Sequence, residues 1–260
     1  MREPAVAGRF YPSDGDKLFD LLKSLFGRLP NEEGSRDMVG AVAPHAGYLA
    51  SGATAAKAYK HILKDGLPDA YVIIGPDHHG IGKRCGICKE PYRTPLGTCE
   101  IHYEIAERLP FPEDPHLYEH SVEMQVPLIQ FIDSSPKIVP IVISDQSLRS
   151  SIEIGRGIRR AIEGFDAIVI ASSDMSHYVP KHIAVRMDGR FIDSIASKDY
   201  DGMYGLLRKG VSACGYGAIV SAIEATSPSR IELLEYSDSW DSLGYDRDSV
   251  VGYASMAMMR

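Results

Sequence analysis

Positive charge is in short supply in this chain of 260 residues. There are 28 Lys and Arg against 35 Asp and Glu, a formal net charge of -7. Such a balance offers a polyanion no basic face, so nucleic acid is not an expected partner. No apolar run approaches the roughly 20 residues that a membrane-spanning helix needs. The opening stretch Met1-Arg-Glu-Pro-Ala-Val-Ala-Gly-Arg-Phe also lacks the apolar core of a secretory signal, so the expectation is no membrane contact and a cytoplasmic location. Cysteine is sparse: Cys85, Cys88, Cys99 and Cys214 are too few for a secreted disulfide scaffold, and reduced thiols are expected. Cys85-Gly-Ile-Cys88 has the spacing of a redox or zinc half-site, but with no second pair at a matching distance it reads as two structural cysteines. Internal repeats, low-complexity tracts and a Gly-x-Ser-x-Gly elbow are absent as well.

What is present is an ordinary globular composition, 44% hydrophobic and 24% charged, arranged in alternating helix-like and strand-like segments. That alternation predicts an α/β fold, read as one domain over residues 1–260. Helices are expected over residues 16–26, 51–62, 102–109, 146–162, 183–196, 200–208 and 218–225. A further helix over 118–132 should be kinked or restarted by Pro127. Strands are expected over residues 38–43, 70–74, 138–143, 166–171, 231–236 and 250–258, and residues 80–101 read as a loop or hairpin excursion.

Polar chemistry collects where these strands end. Ala43-Pro-His45-Ala-Gly-Tyr48 follows the first strand, Gly75-Pro-Asp-His78-His79-Gly80 the second, and Ser172-Ser-Asp174-Met-Ser-His177-Tyr178 a later one. In open α/β sheets that edge binds ligands. Of His78 and His79 only one is expected to face a site, because successive side chains of an extended backbone diverge; the sequence does not say which. Asp174 and His177 suit an acid/base pair in which the carboxylate fixes the imidazole tautomer. His120 and Glu123 stand at i and i+3, where one helical face would place them in a pocket or behind a metal ligand. Cys214, followed by Gly215-Tyr-Gly217, is read at a helix N-terminus, where the dipole lowers a thiol pKa and the glycines allow close approach. Two imidazoles and a thiolate with coordination positions left over suit a reactive metal better than a closed structural site.

Taken in order, these clusters resemble the Memo family. The matching motifs are Ala43-Pro-His-Ala-Gly-Tyr48, Gly75-Pro-Asp-His-His79, Arg93-Thr-Pro-Leu96, Glu119-His-Ser-Val-Glu-Met124, Ser172-Ser-Asp174 with His177, and Cys214-Gly. Ala7-Gly-Arg-Phe-Tyr-Pro12 and Ser249-Val-Val-Gly-Tyr-Ala254 fit too, so the resemblance spans essentially the whole chain. That family is similar in fold and site to LigB-type class III extradiol dioxygenases, non-haem iron enzymes that open catechol rings. The resemblance therefore implies a single three-layer α/β/α domain with a central mixed, largely parallel sheet. It places His45 and His78 on the two His ligand positions, Cys214 on the third and His177 on the acid/base histidine, with Asp174 beside it. His79, His120 and Glu123 fall to the substrate pocket or to the layer behind the ligands. In this family the third position holds Cys where the dioxygenases use Glu, and a thiolate also favours copper or zinc over a purely Fe(II) preference. Animal relatives act in cell motility and redox signalling and have been discussed as phosphotyrosine-peptide binders. Microbial relatives often travel with a radical-SAM protein and an AMMECR-type protein.

Three functions follow as expectations. The first is a redox-active, dioxygenase-like metalloprotein with Fe(II), or else copper or zinc, held by His45, His78 and Cys214 and protons moved by His177 and Asp174. The second is a non-catalytic protein that binds a small molecule, peptide or partner in the same cleft. The third is a metal-dependent hydrolase in which a metal-bound water is activated by Asp174 or His177.

Overall fold

Short strands whose residues are apolar on both faces can be buried only in the middle of a layered sheet, and that is where the strands expected over residues 38–43, 70–74, 138–143 and 166–171 lie. The structure, a computed structural model, describes residues 1–32, 34–81, 84–114 and 116–260. In chain order, α1 (Gly15–Phe26) is followed by β1 (Met38–Ala43), α2 (Tyr48–Asp65) and β2 (Ala70–Pro76). Three short strands come next, β3 (Cys85–Ile87), β4 (Tyr92–Thr94) and β5 (Gly97–Ile101), then α3 (Tyr103–Arg108), α4 (Val126–Ile132) and β6 (Lys137–Ile143). The second half runs α5 (Leu148–Ile162), β7 (Ala167–Ser172), β8 (His177–Val179), α6 (Lys181–Ala196), α7 (Tyr200–Leu207), α8 (Tyr216–Thr226), β9 (Arg230–Asp238), α9 (Ser239–Leu243) and β10 (Val250–Met259).

These strands form one mixed sheet in the order β4-β5-β6-β2-β7-β1-β10-β8, with β3 added to β6 and β9 to β10. The central run β5-β6-β2-β7-β1 is parallel, and β10 joins it antiparallel to β1. Helices cover both faces. On one, α2 packs on β1, β9 and β10 and its Ala58 N–H donates to Ser255 Oγ of β10. On the other, α6 packs on β9 and β10, and α8 lies on β1, β2 and β7 with α5 against it. The result is the single three-layer α/β/α domain anticipated from the sequence. Among the described residues no helix is long and apolar enough to cross a membrane.

One segment differs from expectation, and two others follow it. Residues 118–122 turn instead of continuing a helix, a 3-10 turn covers Glu123–Gln125, and α4 starts at Val126. Pro127 sits in the first turn of α4, where its missing N–H costs nothing, so it begins the helix and does not kink it. Residues 84–101 form β3 and a β4–β5 hairpin added at the sheet edge, while positions 82 and 83 of that excursion lie outside the described residues. Cys85 and Cys88 are buried with thiols pushed up to about 12 and about 11 by burial, unsuited to redox exchange.

The parallel arrangement positions the site. β1, β2 and β7 are hydrogen-bonded side by side, with Ala43 opposite Ser172 and Ile74 opposite Ala171, so their C-terminal ends coincide. His45, His78 and Asp174 each follow two residues after one of those ends.

Candidate metal centre

The segment after β1 turns sharply at Pro44-His45-Ala46-Gly47 and enters α2. The turn is held from the neighbouring strand end: Asp174 Oδ1 accepts the His45 N–H at 2.8 Å and the Ala46 N–H at 3.3 Å. His45 is 2% exposed, and its Nδ1 lies 2.9 Å from Ser172 Oγ. That hydroxyl donates to the Ser121 carbonyl at 2.7 Å and receives Gln125 Nε2–H at 2.7 Å, so toward His45 it acts as acceptor. Nδ1 therefore carries the proton and Nε2 keeps its lone pair. Ser172, which stands in the strand-end Ser-Ser-Asp run, is thus committed to orienting an imidazole and is no free nucleophile.

His78 is oriented in the same way by a carboxylate. Glu119 Oε1 is 2.9 Å from His78 Nδ1, Oε2 accepts the His78 backbone N–H at 2.7 Å, and Oε1 also takes the Ser121 N–H at 2.7 Å. Burial opposes charge on Glu119, but these hydrogen bonds outweigh it and hold the carboxyl well below its usual range. An ionised acceptor fixes Nδ1–H on His78 and again leaves Nε2 free. Such carboxylate–imidazole pairs are the usual support behind metal-binding histidines. His79 points elsewhere, its Nε2 on the Tyr118 carbonyl at 2.9 Å, while Asp77 Oδ1 caps the turn through the N–H groups of His79 and Gly80.

Cys214 comes from the far side, just before α8. Its Sγ lies 3.1 Å from His45 Nε2 and accepts the Asp174 N–H at 3.2 Å, while Gln146 Nε2 donates to its carbonyl at 2.8 Å. The His45, His78 and Cys214 donor atoms all lie within 4.8 Å of one another. Gly215 lets the segment close down, since a Cβ there would meet the Ser172 carbonyl oxygen at 2.3 Å. Burial and the Asp174 charge push the Cys214 thiol up, against the lowering anticipated from the start of α8. A thiolate in this pocket needs a cation beside it.

His120 completes a cluster of three rings, with centroids 4.5 Å from His78 and 5.4 Å from His45. Burial, reinforced by His78, lowers its pKa to about 4, and burial likewise lowers that of His45. Neutral imidazoles are the form that coordinates metal. His78, Glu119 and His120 form a second trio of donors within 4.8 Å, overlapping the first at His78.

Two expected roles change. Glu123 does not share a pocket with His120, because the chain turns before it. Its buried carboxylate pairs with Arg2 and accepts Tyr11 O–H and the N–H groups of Ala5 and Val6, tying the amino-terminal segment to the domain. Asp174 does not orient His177: the His177 N–H goes to Ser212 Oγ at 2.8 Å and its Nδ1–H to the Ser212 carbonyl at 2.9 Å. The Asp174 carboxylate instead holds the His45 turn, its pKa raised by burial against those hydrogen bonds. The sequence does not single out Glu119, Gln146 or Ser212, although Glu119 stands next to His120 in one of the family motifs and Gln125, which holds Ser172, lies beside the His120–Glu123 pair.

A sheet-edge cluster of two tautomer-fixed imidazoles and a thiol defines a class: an α/β protein with a cleft fit to hold a cation. The family model described as Memo-like protein matches residues 2–257. The chain is 39% identical to a MEMO1 family protein of Methanothermobacter thermautotrophicus, over 99% of this chain and 100% of that one. It is 40% identical to one of Methanosarcina mazei, over 98% of both. The chain belongs to the Memo family. Among solved structures, an uncharacterized protein, JW3007, from Escherichia coli K12 is similar in fold, with a TM-score of 0.50 at 13% identity over 84% of this chain and 99% of that one.

Proposed function

We propose that this protein binds one transition-metal cation through His45 Nε2, His78 Nε2 and Cys214 Sγ, with Fe(II) the first candidate and copper or zinc the alternatives, and that it acts on a small molecule or peptide at that centre as a dioxygenase-like oxidoreductase in the cytoplasm. The observation that carries the reading is the pair of fixed tautomers. Ser172 and Glu119 occupy both Nδ1–H groups, which leaves both Nε2 lone pairs free; His45 Nε2 lies 3.1 Å from Cys214 Sγ, and donor atoms of all three residues lie within 4.8 Å of one another. When bound, iron or copper at a three-donor face supplies Lewis-acid and one-electron chemistry with positions open for a ligand.

The chain's own residues supply the rest. His177, with Nδ1–H held on Ser212, keeps Nε2 as a base that can take a proton from a hydroxyl at the mouth. Asp174 keeps the His45 turn in place. Four cysteines without a disulfide among them suit a reducing compartment.

The test is metal content by mass spectrometry on anaerobically purified wild type, Cys214→Ala and His45→Ala. Near-stoichiometric iron or copper in wild type, lost in both variants, is expected. A wild-type protein that is empty and takes up none of Fe(II), Cu(I) or Zn(II) would overturn the reading.

A further inference from the structure

A second cleft, about 410 Å³ in volume, opens beside the chain that leads into Cys214, between α7, the turn after it and the start of α8. Tyr204 and Tyr216 line it edge to face, ring centroids 5.5 Å apart, and Leu207 and Val211 add aliphatic surface. Two polar groups reach this space with capacity to spare. Arg208 is exposed, and among the described residues no carboxylate pairs with its guanidinium, in a chain whose net charge is -7. Ser212 Oγ receives the His177 N–H, and its own proton has no acceptor among the described residues. Tyr204 O–H is already engaged with the Gln146 carbonyl at 2.6 Å. Donors without acceptors, set among apolar side chains, select an anion that carries an apolar body.

The same residues run to the centre described above. Ser212 holds His177 through both its hydroxyl and its carbonyl, and Gln146, whose carbonyl accepts the Tyr204 O–H, donates through Nε2 to the Cys214 carbonyl. We propose that this cleft binds a small carboxylate or phosphate with an apolar body, anchored by Arg208 and Ser212, and that its occupancy is felt at His177 through Ser212. The binding half stands on the cleft alone; what occupancy does to chemistry rests on the metal reading.

The full chain is titrated metal-free with phenylacetate and hexanoate, with acetate and benzyl alcohol as the anion-only and apolar-only controls. Calorimetry reads binding, and the His177 ring resonances, identified by their loss in His177→Gln, read the coupling. Phenylacetate or hexanoate should saturate, and both controls should bind at least about tenfold more weakly. Arg208→Gln should weaken the carboxylates by a similar factor, and the His177 resonances should move with the same midpoint. No saturation, controls that bind as well, or an Arg208→Gln protein that binds undiminished would overturn the site. Saturation with unmoved His177 resonances would overturn the coupling. A repeat with Co(II) separates the two readings, since a protein that takes up no Co(II) yet binds phenylacetate fails the metal reading and keeps this one.

Discussion

Glu119 makes the plainest claim for a single residue. Its carboxylate accepts one ring N–H and two backbone N–H groups from the turns that carry His78 and Ser121. Glu119→Gln keeps one oxygen but removes the charge that favours Nδ1–H on His78, so affinity for Zn(II) should fall by about 10–100-fold. Competition against a chelator measures it, and an unchanged affinity would show that His78 is not a donor. Glu123 predicts the opposite pattern. Glu123→Leu leaves Arg2, 1% exposed, without its partner deep in the protein and should cost about 3–5 kcal/mol in urea unfolding. Metal uptake by the fraction still folded should stay intact. His45 and His78 could be picked out of the sequence because each follows a strand end by two residues, and Cys214 because Gly215-Tyr-Gly217 follows it. The roles of Glu119 and Glu123 could not, because both depend on which way the chain turns between 118 and 126, and an i, i+3 pattern assumes a helix there.

The strands β1, β2 and β7 were readable because burial on both faces leaves an unbroken apolar run, and their parallel order aligns His45, His78 and Asp174 along one edge. β3, β4 and α9 were not, since three to five residues carry too little periodicity to register. How closely those ends approach is testable at Gly75, the penultimate residue of β2. A Cβ there would stand 2.2 Å from Ser121 Oγ and 2.8 Å from its Cβ. Gly75→Ala must push Ser121 away, and with it the carbonyl that fixes Ser172 and the N–H that binds Glu119. A loss of about 1–3 kcal/mol is expected, together with weakened metal binding, whereas Gly189→Ala, in the middle of α6 with open space around it, should leave metal binding unchanged and raise stability by up to about 1 kcal/mol. Chemical unfolding paired with metal titration compares the two.

At the scale of the whole molecule, buried neutral histidines set the acid limit of the metal-free protein. His116 is buried, with Nε2 on the Gly86 carbonyl and Nδ1 on the Tyr92 hydroxyl, and burial lowers its pKa to about 4. The unfolded chain protonates near pH 6.5 while the folded one resists until about 4, so the unfolded state binds more protons and stability falls as pH drops through that window. The loss assigned to His116 is on the order of 2 kcal/mol by pH 5, and His120 acts in the same direction. Urea unfolding at pH 7 and pH 5 should show it, and His116→Asn should flatten the difference by that amount. An equal slope in both proteins would mean that His116 already carries its proton in the folded state.

The order of the donors along the chain bears on when a cation can be captured. His45 and His78 leave the ribosome well ahead of Cys214, which follows most of the sheet, and β1 is flanked on one side by β10, which follows the other strands described. A nascent chain therefore offers two imidazoles without their sulfur, a poor trap for metal in a cell full of competing ligands. On the proposed metal reading, a cation would arrive at a finished molecule by way of His78, whose side chain is 30% exposed, while His45 is 2% exposed. Loading would then be an act of delivery to a folded acceptor, not a step in its assembly.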